Sequence, residues 1–165
     1  MTAYEKIWDY AENNHGIITT AQAKKLGVDK GALPAMAQRG TLIRLGHGVY
    51  QVKHHVPTEQ DVYAVGVALA GPTAYLRGAS VVALLGLAPT NPSVLYLGAK
   101  GRVRRKLPTK YEVVDMRPVE TVDFYGIQCQ RVEDALKTAL AEGEMDAYRV
   151  EQATEAAREK GLING

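Results

Sequence analysis

Residues 16–52 read GIITTAQAKKLGVDKGALPAMAQRGTLIRLGHGVYQV, and the order of their apolar, capping and turn residues decides the fold. Thr19 or Thr20 caps a helix whose buried side is marked by Ala21, Ala23 and Leu26, and Gly27 stops it after about two turns. Beyond Gly27-Val28, Asp29 is placed to cap the next helix. There Leu33, Met36 and Ala37 take the packing positions, Lys30, Pro34, Gln38 and Arg39 take the others, and Gly40 ends the run. Leu42, Ile43 and Leu45 then read as a strand, Gly46-His47-Gly48 as a tight turn, and Val49, Tyr50, Gln51 and Val52 as the returning strand. Upstream, Ile7, Trp8 and Ala11 recur at helical spacing between Ala3 and Asn13, with Asn13, Asn14 and Gly16 as the stop. Ile17 and Ile18 form a short apolar lead-in. Three helices followed by a hairpin is the order of a winged helix-turn-helix, a fold that places one helix in the DNA major groove.

Working outward, Lys53, His54, His55, Val56 and Pro57 have the character of a linker, which sets a domain boundary near residue 56 and divides the chain into 1–56 and 57–165. Thr58 is placed to cap a helix over 59–70, and a second apolar helix is expected from Ala79 to Leu85, ending at Gly86. Past Pro92 the pattern turns to strands at Val94 to Leu97, Tyr111 to Met116 and Thr121 to Gln130. Helical spacing returns at Glu133 to Ala141 and at Asp146 to Lys160. The fold class is therefore α+β, a winged helix-turn-helix followed by a mixed α+β domain.

The 165 residues are 46% hydrophobic and 23% charged, average for a globular chain, and the net charge of +2 announces no partner. The distribution does. No Asp or Glu occurs between Lys30 and Glu59 or between Asp61 and Glu112, and the acids concentrate after Glu112. A basic front half and an acidic tail suggest two surfaces with different partners. Cys129 is the single cysteine, so the chain holds no internal disulfide and no cysteine cluster for zinc. The polar start of the chain and the lack of a long apolar run lead to the expectation of a cytoplasmic protein with no membrane partner.

The candidate DNA-binding residues are Thr20, Lys24, Lys25, Lys30, Gln38, Arg39, Arg44, His47 and Lys53. Gln pairs bidentately with adenine and Arg or Lys with guanine, and the small Ala32 and Ala35 let the recognition helix approach closely. Arg44, His47 and Lys53 of the wing, with Lys24 and Lys25, suit phosphates, and Arg44 or His47 also suits a narrow minor groove. A second basic patch, Lys100, Arg102, Arg104, Arg105 and Lys106, reads as a phosphate-binding loop, a face for an acidic protein or a solvated loop.

The stretch from Gly16 to Val52 resembles the N-terminal domain of AbiEi-type antitoxins of abortive-infection toxin/antitoxin systems (type IV). The resemblance is carried by Gly27-Val28, Arg39-Gly40-x-Leu42 and Gly46-x-Gly48-Val49-Tyr50. Ala74 to Leu87 (AYLRGASVVALLGL) is similar to that family's run of small residues and a Ser before Leu-x-Gly-Leu, and the last third matches in outline through an Asp134-Ala135-Leu136 helix. The resemblance implies an autorepressor that binds repeated sites in its own promoter, and a C-terminal domain that neutralises a cognate nucleotidyltransferase-like toxin.

Catalytic patterns are weak. His54 and His55 point apart in an extended segment, which disfavours a metal pair, and neither His15 nor His47 has a carboxylate nearby in sequence. Cys129 lacks a neighbouring His, and no glycine-rich phosphate loop follows a strand. Metal-dependent DNA cleavage, the enzymatic rival, needs converging acids, but Glu112 and Asp115 fall on opposite faces of one strand. The expectation is a regulator without catalysis, cofactor or metal. The alternative is a ligand-responsive winged-helix repressor without a toxin partner, whose helices at 59–85 line an effector pocket.

Overall fold

The computed structural model describes residues 1–91, 93–101, 106–115 and 119–164. In chain order the elements are α1 (Ala3–Ala11), β1 (Ile17–Thr19), α2 (Thr20–Lys25), α3 (Ala32–Gln38), β2 (Leu42–Gly46), β3 (Val49–Val52), α4 (Asp61–Ala70), β4 (Tyr75–Leu76), α5 (Ala79–Leu84), β5 (Leu95–Ala99), β6 (Tyr111–Asp115), β7 (Thr121–Phe124), β8 (Ile127–Gln130), α6 (Val132–Ala141) and α7 (Ala147–Glu159). They form two compact units, Met1–Leu69 and Ala70–Gly165. The helix expected to follow the linker, α4, thus groups with the first unit rather than opening the second.

The first unit is a winged helix-turn-helix. Its antiparallel sheet runs β1-β3-β2, with Ile17 opposite Gln51 and Leu42 opposite Val52. The lead-in Ile17-Ile18 is therefore a strand, which exists because β3 offers it a second edge. Thr2 caps α1 by accepting the Glu5 amide at 3.1 Å. Of the two threonines open for α2, Thr19 is the cap: its hydroxyl accepts the Gln22 amide (3.2 Å) and the Gln22 side chain accepts the Thr19 amide (2.9 Å). Ile7, Ala11, Ile18, Ala23, Val28, Leu33, Met36, Leu42, Tyr50 and Val52 form one core. Ala21, expected on the buried side of α2, is exposed, because it stands two residues from the buried Ala23 and so on the opposite face of the helix.

The second unit is mixed α+β. Its sheet runs β6-β5-β4-β8-β7, with β5/β6 and β4/β8 parallel and β4/β5 and β7/β8 antiparallel. The run Thr121 to Gln130, expected as one strand, is a hairpin: Tyr125 (φ 57°) and Gly126 (φ 78°) make the turn, and the Asp123 carboxylate accepts the Gly126 amide at 2.8 Å. Val82, Leu87, Val132, Leu136, Ala139, Val150 and Ala153 pack α5, α6 and α7 into a second core.

That core carries an unusual charge. Arg77, at the end of β4, is 3% exposed, with its guanidinium 3.6 Å from the equally buried carboxylate of Glu144 and 3.8 Å from the exposed Glu142. The other Glu144 oxygen accepts the Ala79 amide at 2.9 Å, and Gln130 accepts the Gly78 amide at 2.9 Å. Gly78 sits at φ 52°, and a β-carbon there would run into the Glu144 carboxylate, so the glycine is what lets the loop reach both acceptors. Burial pushes the Glu144 carboxyl above its ordinary 4.5, against the lowering influence of the Ala79 amide and Arg77. Its charged form thus opposes folding, so its contribution is largest at acid pH and declines as pH rises through the raised value.

Arg77→Ala leaves that carboxylate buried and uncompensated. The expected cost is about 3–5 kcal/mol in chemical denaturation. A loss below about 1 kcal/mol, the range of exposed pairs, would show that the pair does not hold α5 to the α6–α7 turn.

Candidate nucleic-acid interface

The recognition helix is positioned from both ends. The Val28 amide donates to the Ala23 carbonyl at 2.9 Å and Val28 is buried, which closes the turn after α2. At the far end the Thr41 amide and hydroxyl both donate to the Met36 carbonyl at 3.0 Å, tying the end of α3 to the start of β2. The helix begins at Ala32 with Gly31 as its N-cap, rather than being capped by Asp29, whose carbonyl instead accepts the Ala32 amide at 2.9 Å. This start accommodates Pro34. As the third helical residue it falls among the amides that have no intrahelical partner, so the missing N–H costs no bond.

Leu33 and Met36 face the core, which leaves Pro34, Gln38 and Arg39 exposed and Ala35 half-buried. Thr20, Lys24, Lys25, Lys30, Arg44, His47 and Lys53 are exposed as well. Thr20 is drawn to the wing tip, where its amide donates to the Gly48 carbonyl at 2.9 Å, beside His47. Lys53 is elsewhere: its amide donates to the Thr41 carbonyl at 3.2 Å, so it lies at the open end of the hairpin, near Arg39 rather than His47. The register of β2 against β3 shifts between Arg44 and Gly46, a local irregularity beside Arg44. Of the second basic patch, Lys100 and Lys106 are exposed, while Arg102, Arg104 and Arg105 lie outside the described residues.

The charges favour one orientation toward a polyanion. Asp29 is the sole acid between Asn13 and Thr58, where Lys24, Lys25, Lys30, Arg39, Arg44 and Lys53 all occur. The exposed side of α1 instead carries Glu5, Asp9 and Glu12, which phosphates repel.

One constellation escaped the sequence reading. His15 Nδ1 lies 3.3 Å from one oxygen of Asp61, and His55 Nε2 lies 2.8 Å from the other. Thr58 donates its amide (3.1 Å) and hydroxyl (2.8 Å) to the same carboxylate. His15 therefore does have a carboxylate partner, brought to it by the start of α4. Gly16 is required beside this clamp, since a β-carbon would come within 2.6 Å of the His55 ring and its φ is +72°. Burial pushes the Asp61 carboxyl up, but the Thr58 bonds and His55 outweigh it and the net shift is below the ordinary 3.8.

Among the described residues no group of three His, Cys, Asp or Glu could hold a metal ion. Burial, reinforced by Asp123, pushes the Cys129 thiol up to about 12, so it is protonated at neutral pH and supplies no thiolate nucleophile. No helix among the described residues is long and apolar enough to cross a membrane.

Residues 5–53 match the family model described as a transcriptional regulator, AbiEi antitoxin. The matched stretch runs from α1 to just past β3, the helix-turn-helix with its wing. It supports a DNA-binding regulator of AbiEi type over that part of the chain. No curated protein matches the chain.

The lowered Asp61 value fixes the sign of a pH effect. The clamp contributes stability above the unfolded value of 3.8 and loses it as pH falls through the lower folded value. Asp61→Ala is expected to cost about 1.5–3 kcal/mol near neutrality, and the gap from wild type should be smaller near about pH 2 than at neutral pH in urea titrations. A gap of equal size at both pH values would overturn the clamp.

Proposed function

We propose that the chain is a transcriptional autorepressor that acts as the antitoxin of a toxin/antitoxin pair. The observation that carries this reading is the coincidence of the family match at residues 5–53 with a winged helix-turn-helix whose recognition helix and wing are flanked by exposed basic residues, Lys24, Lys25, Lys30, Arg39, Arg44 and Lys53. Residues 1–56 perform the DNA binding. The helix α4, though part of the same compact unit, is held by the Asp61 clamp and contributes no base or phosphate contact.

In this reading α3 enters the major groove. Lys24, Lys25, Lys30, Arg39 and Lys53 meet phosphates around it, and Thr20, Arg44 and His47 meet the backbone or the minor groove at the wing. The sites are repeated elements in the chain's own promoter, as the resemblance to AbiEi-type antitoxins implies. Residues 57–165 form the antitoxic part and oppose a nucleotidyltransferase-like toxin. Lys100, Arg102, Arg104, Arg105 and Lys106 offer either a second phosphate contact or a face for an acidic protein.

Two experiments test the halves separately. In a mobility-shift titration on the DNA upstream of the chain's own gene, Arg39→Ala and Arg44→Ala should each weaken binding and lower the salt slope by about one. Wild-type affinity and slope in both variants would remove the proposed interface. For the antitoxic half, co-expression should rescue cells from the product of the adjacent gene. Repression without any toxin beside the gene would favour a ligand-responsive repressor instead.

A further inference from the structure

The basic residues around α3 account for attraction to the phosphate backbone, which is the same for every sequence. What distinguishes one sequence from another has to come from the side chains that α3 presents between those charges. Two qualify. Pro34 and Gln38 stand one helical turn apart and are both exposed, while Leu33 and Met36 turn into the core. Arg39 is the C-cap, outside the helical run, and its fixed charge is attracted to phosphate whatever the sequence.

The chemistry of each side chain selects its complement. The pyrrolidine ring of Pro34 has no donor or acceptor and a fixed shape, and the apolar feature on a major-groove edge is the C5-methyl of thymine. The Gln38 amide offers one acceptor and one donor in a plane, which matches N6 and N7 of adenine; guanine presents two acceptors there and fits it less well. Among the described residues the Gln38 amide is not occupied by a hydrogen bond within the protein. The half-buried Ala35 beside them keeps the helix surface low, so both can reach the groove floor. Residues four apart on a helix are about 5–6 Å apart at their β-carbons. Stacked bases are about 3.4 Å apart along a strand, so the two contacts fall one or two base pairs from each other.

We infer that Pro34 and Gln38 are the specificity-determining residues of this chain and that their ligand is a pair of A·T base pairs: Pro34 packs on a thymine methyl, and Gln38 pairs with an adenine one or two positions away. The inference rests on the DNA-binding reading above and adds to it the identity of the bases.

The test uses the full chain and a library of duplexes with a randomised core. Selection should enrich a thymine and an adenine one or two base pairs apart. On the enriched duplex, replacing that thymine by uracil removes only the methyl and leaves the protein untouched, and it should weaken binding several-fold. Replacing the adenine by guanine should weaken binding roughly five- to hundredfold. Gln38→Ala should flatten the preference at the adenine position while leaving the salt slope unchanged, and Gln38→Arg should move it to guanine. Enrichment of G·C pairs at these positions, or indifference to both the uracil and guanine replacements, overturns the inference and leaves DNA binding standing. Failure to enrich any duplex, with no salt-dependent binding, overturns the DNA-binding reading itself.

Discussion

The packing of Leu33 and Met36 against Ile7, Ile18, Leu42 and Val52 is the constraint on which the interface depends. Each buried side chain of that size contributes about 1.5–3 kcal/mol, so α3 has one rotational setting about its axis. Once Leu33 and Met36 are inside, Pro34 and Gln38 are outside. The same core holds both strands of the wing through Leu42, Tyr50 and Val52, so helix and wing are set relative to each other by apolar contact. The polar links at the margins, Thr41 to Met36 and Thr20 to Gly48, then fix the ends of α3 and the wing tip. Charges play little part in the folding of this interface, which leaves them free for an external polyanion.

The Asp61 clamp follows a different logic from the core. One carboxylate gathers two imidazoles and the Thr58 hydroxyl and amide, so its four partners come from the turn before β1, the segment after β3 and the N-terminal edge of α4. It fastens the start of α4 to the turn between α1 and β1. That is why α4 counts with the first unit although the stretch before it, Lys53 to Pro57, has the composition of a linker. Composition reports how a segment interacts with water, whereas a long-range carboxylate–imidazole contact is visible only when the chain is folded.

That contrast explains what was legible in the sequence. α1, α2, α3 and the β2–β3 hairpin follow from apolar spacing, threonine caps and glycine stops, all local, and apart from the start of α3 they lie close to where those signals put them. β1 and β4 did not show. Strands as short as Ile17–Thr19 and Tyr75–Leu76 carry no period and exist through the strands they pair with. The start of α3 slipped from Asp29 to Gly31 because the Asp29 carbonyl, not its side chain, closes the first turn. The Tyr125-Gly126 turn was hidden because a tyrosine with positive φ is an uncommon turn former. Of the interface, the candidate side chains were readable from charge and spacing. Their grouping, with Thr20 at the wing tip and Lys53 at the hairpin base, depended on the register of the sheet.

The two units also treat charge in different ways. The first keeps its lysines and arginines in solvent. The second buries Arg77 against Glu144 and covers α6 and α7 with exposed acids: Glu133, Asp134, Glu142, Glu151, Glu155 and Glu159. A phosphate backbone is repelled by that acidic surface, screened only beyond roughly a Debye length of 8–10 Å at cellular salt. Arg149 and Arg158 are each paired with an acid on or beside the same helix, Asp146 and Glu155, and the exposed Lys137 and Lys160 reduce the acidic excess without cancelling it. The faces of α6 and α7 therefore attract a phosphate backbone less than the basic residues around α3 do.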